Sequence, residues 1–264
     1  LSMALGAGET TVLRMVTGYS MIANGGKQIR ATFIDRIQDR YGRTVWRHDT
    51  RDCSTCSARE WSGQQEPQLV DDRKQILDPM SAFQMTSIME GVVQSGTAQR
   101  LKVLKRPIAG KTGTTNDYKD AWFVGYTPDL AVGVYIGYDQ PVGMGHGETG
   151  GSLAAPVVRD FLKEALKDVP AVPFRAPPGI KLVRVNKKTG LPAGGGDKAA
   201  AILEAFKPGQ EPFGAVAEAI GEDGEEMPVD DFTAAPPPPP PPPFGQAPAP
   251  GSDRALTSGT GGLY

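Results

Sequence analysis

The chain has 264 residues, 39% of them hydrophobic, and a formal net charge of −2. That apolar content supports a substantial core, and no run approaches the ~18 apolar residues that a membrane span needs. Nine of the 30 acidic residues and one of the 28 basic ones lie beyond Gln210, leaving 27 Lys and Arg against 21 Asp and Glu before it. An ordinary solvated surface accounts for this mild basic excess at least as well as an anionic polymer, and no nucleic-acid partner is expected. No charged-then-apolar leader opens the sequence. It begins on Leu1, close to a helical pattern, and reads as a piece of a longer chain.

Val12, Met15, Val16 and Tyr19 fall at i, i+3, i+4 and i+7, with a stop at Asn24-Gly25-Gly26, so the spacing predicts an amphipathic helix over 11–23. A-T-F-I-D-R-I-Q-D and R-T-V-W-R-H-D, flanking Arg40-Tyr41-Gly42, predict a hairpin with a short loop. A long polar loop comes next and contains Cys53 and Cys56. With only His48 nearby, at most three zinc ligands would be present, so a local disulfide or two idle thiols is favoured over a metal. No strand leads into the motif, as a thioredoxin-like redox role requires.

Asp78-Pro79 supplies an N-cap with proline at the first helical position, and Met85, Ile88, Met89 and Val92 repeat the helical spacing, the methionines as core filler. In D-A-W-F-V-G-Y, Trp122, Val124 and Tyr126 alternate; Thr127-Pro128-Asp129 turns the chain, and L-A-V-G-V-Y-I-G-Y-D continues as an antiparallel partner. Ser152 is placed to cap a helix whose apolar residues are Ala154, Val157, Val158, Phe161, Leu162, Ala165 and Leu166. The element order predicts an α+β fold, an antiparallel sheet flanked by helices. Residues 169–210 read as a short extension with one strand, I-K-L-V-R-V. Residues 211–264 are acidic and then carry eight consecutive prolines, Pro236 to Pro243, a composition that predicts a disordered tail. The division is thus 1–168, 169–210 and 211–264.

Gly110-Lys111-Thr112 resembles the end of a phosphate-binding loop, but Lys105 stands where that loop needs its first glycine. Lys111 also leads into an alternating aromatic strand and not into the helix that a phosphate loop enters. Gly150-Gly151-Ser152-Leu153-Ala154 misses the G-x-S-x-G nucleophile elbow by its last residue, and both histidines precede the serine. The remaining reading places Lys111-Thr112-Gly113 on a strand, with Thr112 and Thr114 on one face and Lys111 and Gly113 on the other. For these residues alone, a strand with an exposed lysine and two surface threonines is the simpler reading; the functional alternative is an edge strand that pairs with an extended peptide, with threonine hydroxyls binding a terminal carboxylate and a lysine adding positive charge. Gly113 keeps the surface low, and a backbone N–H just after it is placed to stabilise an oxyanion.

M-A-L-G-A-G-E-T-T, G-V-V-Q-S-G-T-A, A-G-K-T-G-T-T-N-D-Y-K-D-A-W-F-V-G-Y-T-P-D-L, G-Y-D and E-T-G-G-S-L-A-A-P resemble successive segments of the class A, bifunctional penicillin-binding proteins. P-P-G-I-K-L-V-R-V-N-K-K-T-G-L-P-A and I-L-E-A-F-K-P-G-Q-E-P are similar to the stretch after that family's transpeptidase domain, so the resemblance covers roughly 1–212. It implies the penicillin-binding/serine β-lactamase-like fold, incomplete at the N-terminus, and D-Ala-D-Ala transpeptidation in cell-wall crosslinking. Lys111 and Thr114 become candidate catalytic residues, Lys111 on the proton-relay side and the Thr114 N–H as an oxyanion donor. Thr112, Gly113, Thr114 and Thr115 become candidate substrate-binding residues, for peptidoglycan stem peptides and β-lactams. No metal or cofactor is implied.

No serine in the chain begins S-x-x-K or S-x-N. The nucleophile, the second motif, a glycosyltransferase domain and a membrane anchor are therefore expected upstream, on the periplasmic face of the inner membrane, with cell-wall synthesis partners. The chain alone is expected to be inactive. A serine β-lactamase-like hydrolase is the enzymatic alternative. A non-catalytic partner-binding module using the polyproline tail is the other.

Overall fold

The computed structural model describes residues 8–51, 69–193, 201–215, 217–220 and 226–227. All fall within one unit, Leu1–Val229. Cys53 and Cys56 and the proline run lie outside the described residues.

Helix α1, Val12–Ala23, starts where its spacing predicts, with the Thr11 hydroxyl accepting the Arg14 N–H. Strands β1, Arg36–Gln38, and β2, Thr44–Arg47, form the predicted hairpin; Asp39 Oδ1 accepts the N–H groups of Tyr41 and Arg43 across its turn. Helix α2, Pro79–Gln94, is capped by Asp78, whose carboxylate accepts the Ser81 N–H. Its buried stripe is Ala82, Thr86, Met89 and Val93, whereas Met85 and Ile88 are exposed. The buried face is rotated from the predicted one, because α2 carries two apolar stripes and its period alone does not say which one meets the sheet.

The central sheet has the order β3-β4-β5, formed by β3, Ala109–Thr114, β4, Asp120–Tyr126, and β5, Ala131–Gly137, all antiparallel. Phe123 faces a cluster with Leu101, Ile108, Val158 and Leu162, while Tyr126 on the opposite face packs with Met89, Tyr19 and Ile22. Both faces of the sheet are thus covered. Gly110 and Gly125 make room for the Phe123 ring: a Cβ at Gly110 would lie 2.6 Å from its Cζ. Helix α3, Ala155–Ala165, buries Ala155, Val158 and Leu162 and leaves Val157 and Phe161 exposed, a second case of two stripes with one covered.

Strand β6, Lys181–Asn186, is the predicted strand of the extension, but it has a partner the sequence reading missed, β7, Ala201–Phe206. The Ala, Leu and Glu of A-I-L-E-A-F favour helix; six residue pairs along β6 outweigh that preference. Strands β8, Ala217–Ile220, and β9, Glu226–Met227, extend the sheet in the order β7-β6-β8-β9, inside the stretch whose composition predicted no order. The open side of β6 offers unpaired backbone groups that pair whatever the side chains. Gln84 of α2 donates to the Ala205 carbonyl, and Lys207 reaches Asp78 at 2.8 Å and Ser81 at 2.7 Å, tying this sheet to the start of α2. No helix among the described residues is long and apolar enough to cross a membrane.

Between α2 and β4, Thr86 Oγ1 and the Tyr126 hydroxyl are 2.7 Å apart, and burial pushes the phenol up to about 12. Burial also lifts the nearby Glu90 carboxyl to about 7 from its ordinary 4.5. The folded state therefore holds that proton more tightly than the unfolded chain. Its contribution is complete below about pH 4.5 and is lost as pH rises through about 7, on the order of 2–3 kcal/mol. Urea unfolding at a series of pH values should show stability falling across that window and Glu90→Gln removing most of the fall; an unchanged slope would contradict this origin.

Candidate active site

Strand β3 carries Lys111 to Thr114 along the sheet edge, with β4 on one side and, among the described residues, no strand on the other. Its register decides which backbone groups are available. Thr115 N–H donates to the Asp120 carbonyl at 3.1 Å, and the pairing Thr114↔Ala121, Gly113↔Trp122, Thr112↔Phe123 continues from there. In an antiparallel ladder only alternate residues exchange hydrogen bonds with the neighbour. Gly113 and Lys111 therefore spend their N–H and C=O on β4, and those of Thr112 and Thr114 point to the open edge. The Lys111 ammonium, itself exposed, donates to the outward Thr112 carbonyl at 2.7 Å. A strand that continues into β4 through a short turn is incompatible with a phosphate loop.

The threonine side chains share one face, as their alternation predicts. Thr112 Oγ1 lies 2.6 Å from Thr97 Oγ1, and Thr114 Oγ1 accepts the Gly150 N–H at 3.1 Å. Gly113 faces the other way, opposite Trp122, where a Cβ would come within 3.2 Å of the Trp122 Cβ. Thr115 belongs to the strand end: besides its N–H, its hydroxyl oxygen accepts the Asp120 N–H at 2.8 Å. Thr115, Asn116, Asp117 and Tyr118 line an open depression of about 650 Å³ just past β3. Asp117 and Tyr118 both take left-handed backbone angles, φ 59° and 54°, a conformation that side chains disfavour. Met144 N–H holds the Tyr118 carbonyl at 2.9 Å, and the Tyr118 and His146 rings stand 5.6 Å apart.

Thr97, Thr149 and Gly150 were missed as site residues, although G-V-V-Q-S-G-T-A and E-T-G-G-S-L-A-A-P contain them. Thr149, and not Ser152, is the N-cap of the wide turn Gly150–Ala154 that leads into α3. Its hydroxyl accepts the Ser152 N–H at 3.2 Å while Ser152 Oγ accepts the Thr149 N–H at 2.7 Å, a reciprocal capping box. Ser152 thus serves the turn from the third helical position, because the polar pair spans three residues and either end reads as a cap from sequence. No group of side chains suited to a metal ion occurs among the described residues.

The two glycines after Thr149 let this turn lie directly on β3 and on the loop that carries Thr97. A Cβ at Gly150 would fall 2.6 Å from the Gly113 carbonyl oxygen, and one at Gly151 would fall 2.5 Å from the Thr97 carbonyl oxygen. Both obstacles are backbone, which moves only with the whole element. Gly150→Ala should therefore lower stability by about 1–3 kcal/mol, the usual cost of overpacking, when read by denaturant unfolding. Unchanged stability would show that the turn gives way freely.

The family model for the penicillin binding protein transpeptidase domain matches residues 1–163. Penicillin-binding protein 1A of Rickettsia bellii is 41% identical over 210 residues, covering 78% of this chain and 26% of that protein. Penicillin-binding protein 1A of Neisseria flavescens is 44% identical over 182 residues, covering 68% of this chain and 21% of the relative. A crystal structure of penicillin-binding protein 1A from Haemophilus influenzae matches with a TM-score of 0.65 at 28% identity, over 80% of this chain and 34% of that one. The chain spans about a quarter of the length of the curated relatives it matches. With more than half of its residues inside the family match, the chain belongs to the penicillin-binding protein transpeptidase family and has that family's fold.

Proposed function

We propose that this chain is the C-terminal part of a class A peptidoglycan D,D-transpeptidase and supplies one wall of its active site. The observation that supports this is the open edge of β3, to which the N–H of Thr114 points, with the hydroxyls of Thr112 and Thr114 on one face and the Lys111 ammonium at the Thr112 carbonyl. An extended D-Ala-D-Ala stem peptide would pair with that edge, its terminal carboxylate facing the two hydroxyls. The remaining O–H of Thr115 and the low surface at Gly113 would complete this binding strip.

A serine outside this chain would attack the penultimate D-Ala carbonyl. The carbonyl electrons move onto oxygen, and the Thr114 N–H, as one of two donors, holds that oxyanion. The proton the serine gives up on attack is passed to the departing amine, so that when the tetrahedral intermediate collapses the C–N bond breaks and terminal D-Ala leaves neutral at nitrogen, from the side of the site where Lys111 contributes positive charge. The amine of a neighbouring stem peptide then attacks the acyl ester, releasing the serine and closing the crosslink. Penicillins enter by the same attack on the lactam carbonyl, their carboxylate standing in for that of the peptide.

The parent would also carry a glycosyltransferase domain and a membrane anchor, and would work on the periplasmic face of the inner membrane with other cell-wall synthesis proteins. Residues 1–168 would be its transpeptidase part, 169–210 an extension and 211–264 a tail. This chain alone, having no S-x-x-K, would be inactive.

The test is the acylation rate of the full-length protein with labelled benzylpenicillin. Replacing both threonines, as Thr112→Val with Thr114→Val, should slow it about tenfold to a hundredfold, the loss of one or two hydrogen bonds to a charged group, without unfolding the protein. An unchanged rate would sink the carboxylate assignment. Label lost within minutes from the wild type would instead identify a hydrolase.

A further inference from the structure

We infer that Thr97 and the backbone N–H of Gly150 are positioning groups for the carboxylate site. Each occupies the oxygen of one β3 threonine hydroxyl, so that the hydroxyl's proton is left for the ligand. This rests on the carboxylate reading of Thr112 and Thr114 given above.

A threonine hydroxyl has one proton to donate and lone pairs to accept with, whereas an ionised carboxylate only accepts. Two threonines serve a carboxylate only if their protons point at it and their lone pairs do not. At Thr114 the structure settles the polarity. Gly150 contributes an amide N–H, which cannot accept, so the bond at 3.1 Å engages a Thr114 lone pair and frees its proton. At Thr112 the 2.6 Å contact with Thr97 admits either direction of donation. A carboxylate facing Thr112 selects one of them: Thr97 donates to Thr112, and Thr112 donates onward to the ligand. The opposite direction would aim Thr112 lone pairs at an anion.

Both supporting groups are held by backbone and not by long side chains. The chain reverses after α2 through two bonds to one acceptor, since Gly96 N–H and Ala98 N–H both reach the Val92 carbonyl at 3.1 Å, and fully buried Ala98 anchors the loop in the core. Gly151 passes directly over the Thr97 carbonyl, and Gly150 over Gly113. Helix α2, strand β3 and the turn before α3 therefore meet at one point, and the two donors arise where they meet. Thr97 is itself exposed, as is its bond to Thr112. Its hydroxyl contributes nothing to a packed core and lies open to a ligand on the β3 edge.

The experiment compares acylation of the full-length protein by benzylpenicillin and by benzylpenicillin methyl ester, which lacks the carboxylate charge. Wild type should prefer the free acid. Thr97→Val, close in shape, should slow the acid about tenfold, one hydrogen bond's worth, leave the ester rate unchanged and so collapse the ratio. Thr97→Ser should restore the acid rate to within about twofold, because the hydroxyl is what acts. A wild-type ratio retained in Thr97→Val, an equal slowing of both substrates, or no rescue by serine would each overturn the positioning role. If Thr97→Val does not fold, Thr97→Ala is read by the same ratio, and failure of both to fold would make the residue architectural and overturn the inference. A wild type that does not distinguish acid from ester would instead overturn the carboxylate reading beneath it.

Discussion

A strand at the edge of an antiparallel sheet gives every second residue to its neighbour and turns the N–H and C=O of the residues between toward open space. In β3 that alternation commits Lys111 and Gly113 to β4 and releases the backbone of Thr112 and Thr114. A register slip of one residue would reverse the assignment and turn the threonine side chains from the α3 face to the α1 face. Packing fixes the register: Phe123 fits on one face only because Gly110 and Gly125 lack side chains beneath it, and Tyr126 is buried on the other beside Met89. The aromatic residues of β4 thus set the chemistry available on β3.

The second constraint is close backbone approach. Thr97, Gly113, Gly150 and Gly151 come from three separate segments, yet their main chains pack so tightly that a single Cβ at either of the last two would strike a carbonyl oxygen. Thr149 and Ser152 hold the turn in shape by exchanging hydrogen bonds, and α3 then carries Val158 and Leu162 back into the core beside Phe123. Packing and site geometry are therefore one arrangement: the turn that delivers the Gly150 N–H to Thr114 is the start of the helix that covers the sheet.

Local signals made much of this legible in the sequence. The Asp78-Pro79 cap, the stop at Asn24-Gly25-Gly26 and the alternation of Trp122, Val124 and Tyr126 are short-range patterns, and each marks its element within a residue or two. The strand placement of Lys111-Thr112-Gly113 rests on the alternating aromatic strand that it leads into and on the family resemblance of the segments around it. The features that stayed hidden depend on distant partners. Met85 and Ile88 are as apolar and as periodic as Ala82, Thr86, Met89 and Val93, so only the sheet's position chooses between the stripes of α2. Strand β7 exists because β6 offers it an edge, against its own helix-favouring residues. Thr97 stands 15 residues from Thr112; its segment G-V-V-Q-S-G-T-A carries the family resemblance, but only the folded contact reveals that the two hydroxyls meet.

The proposed acyl transfer divides the labour. In it this chain would orient the carboxylate and stabilise charge, and the nucleophile would come from another part of the protein. Peptide mapping of the full-length protein after reaction with benzylpenicillin tests that division most directly. The penicilloyl group should be found on a serine that begins an S-x-x-K sequence and lies outside these 264 residues. An adduct on Ser152 or on any other residue from Leu1 to Tyr264, or no adduct at all, would contradict it.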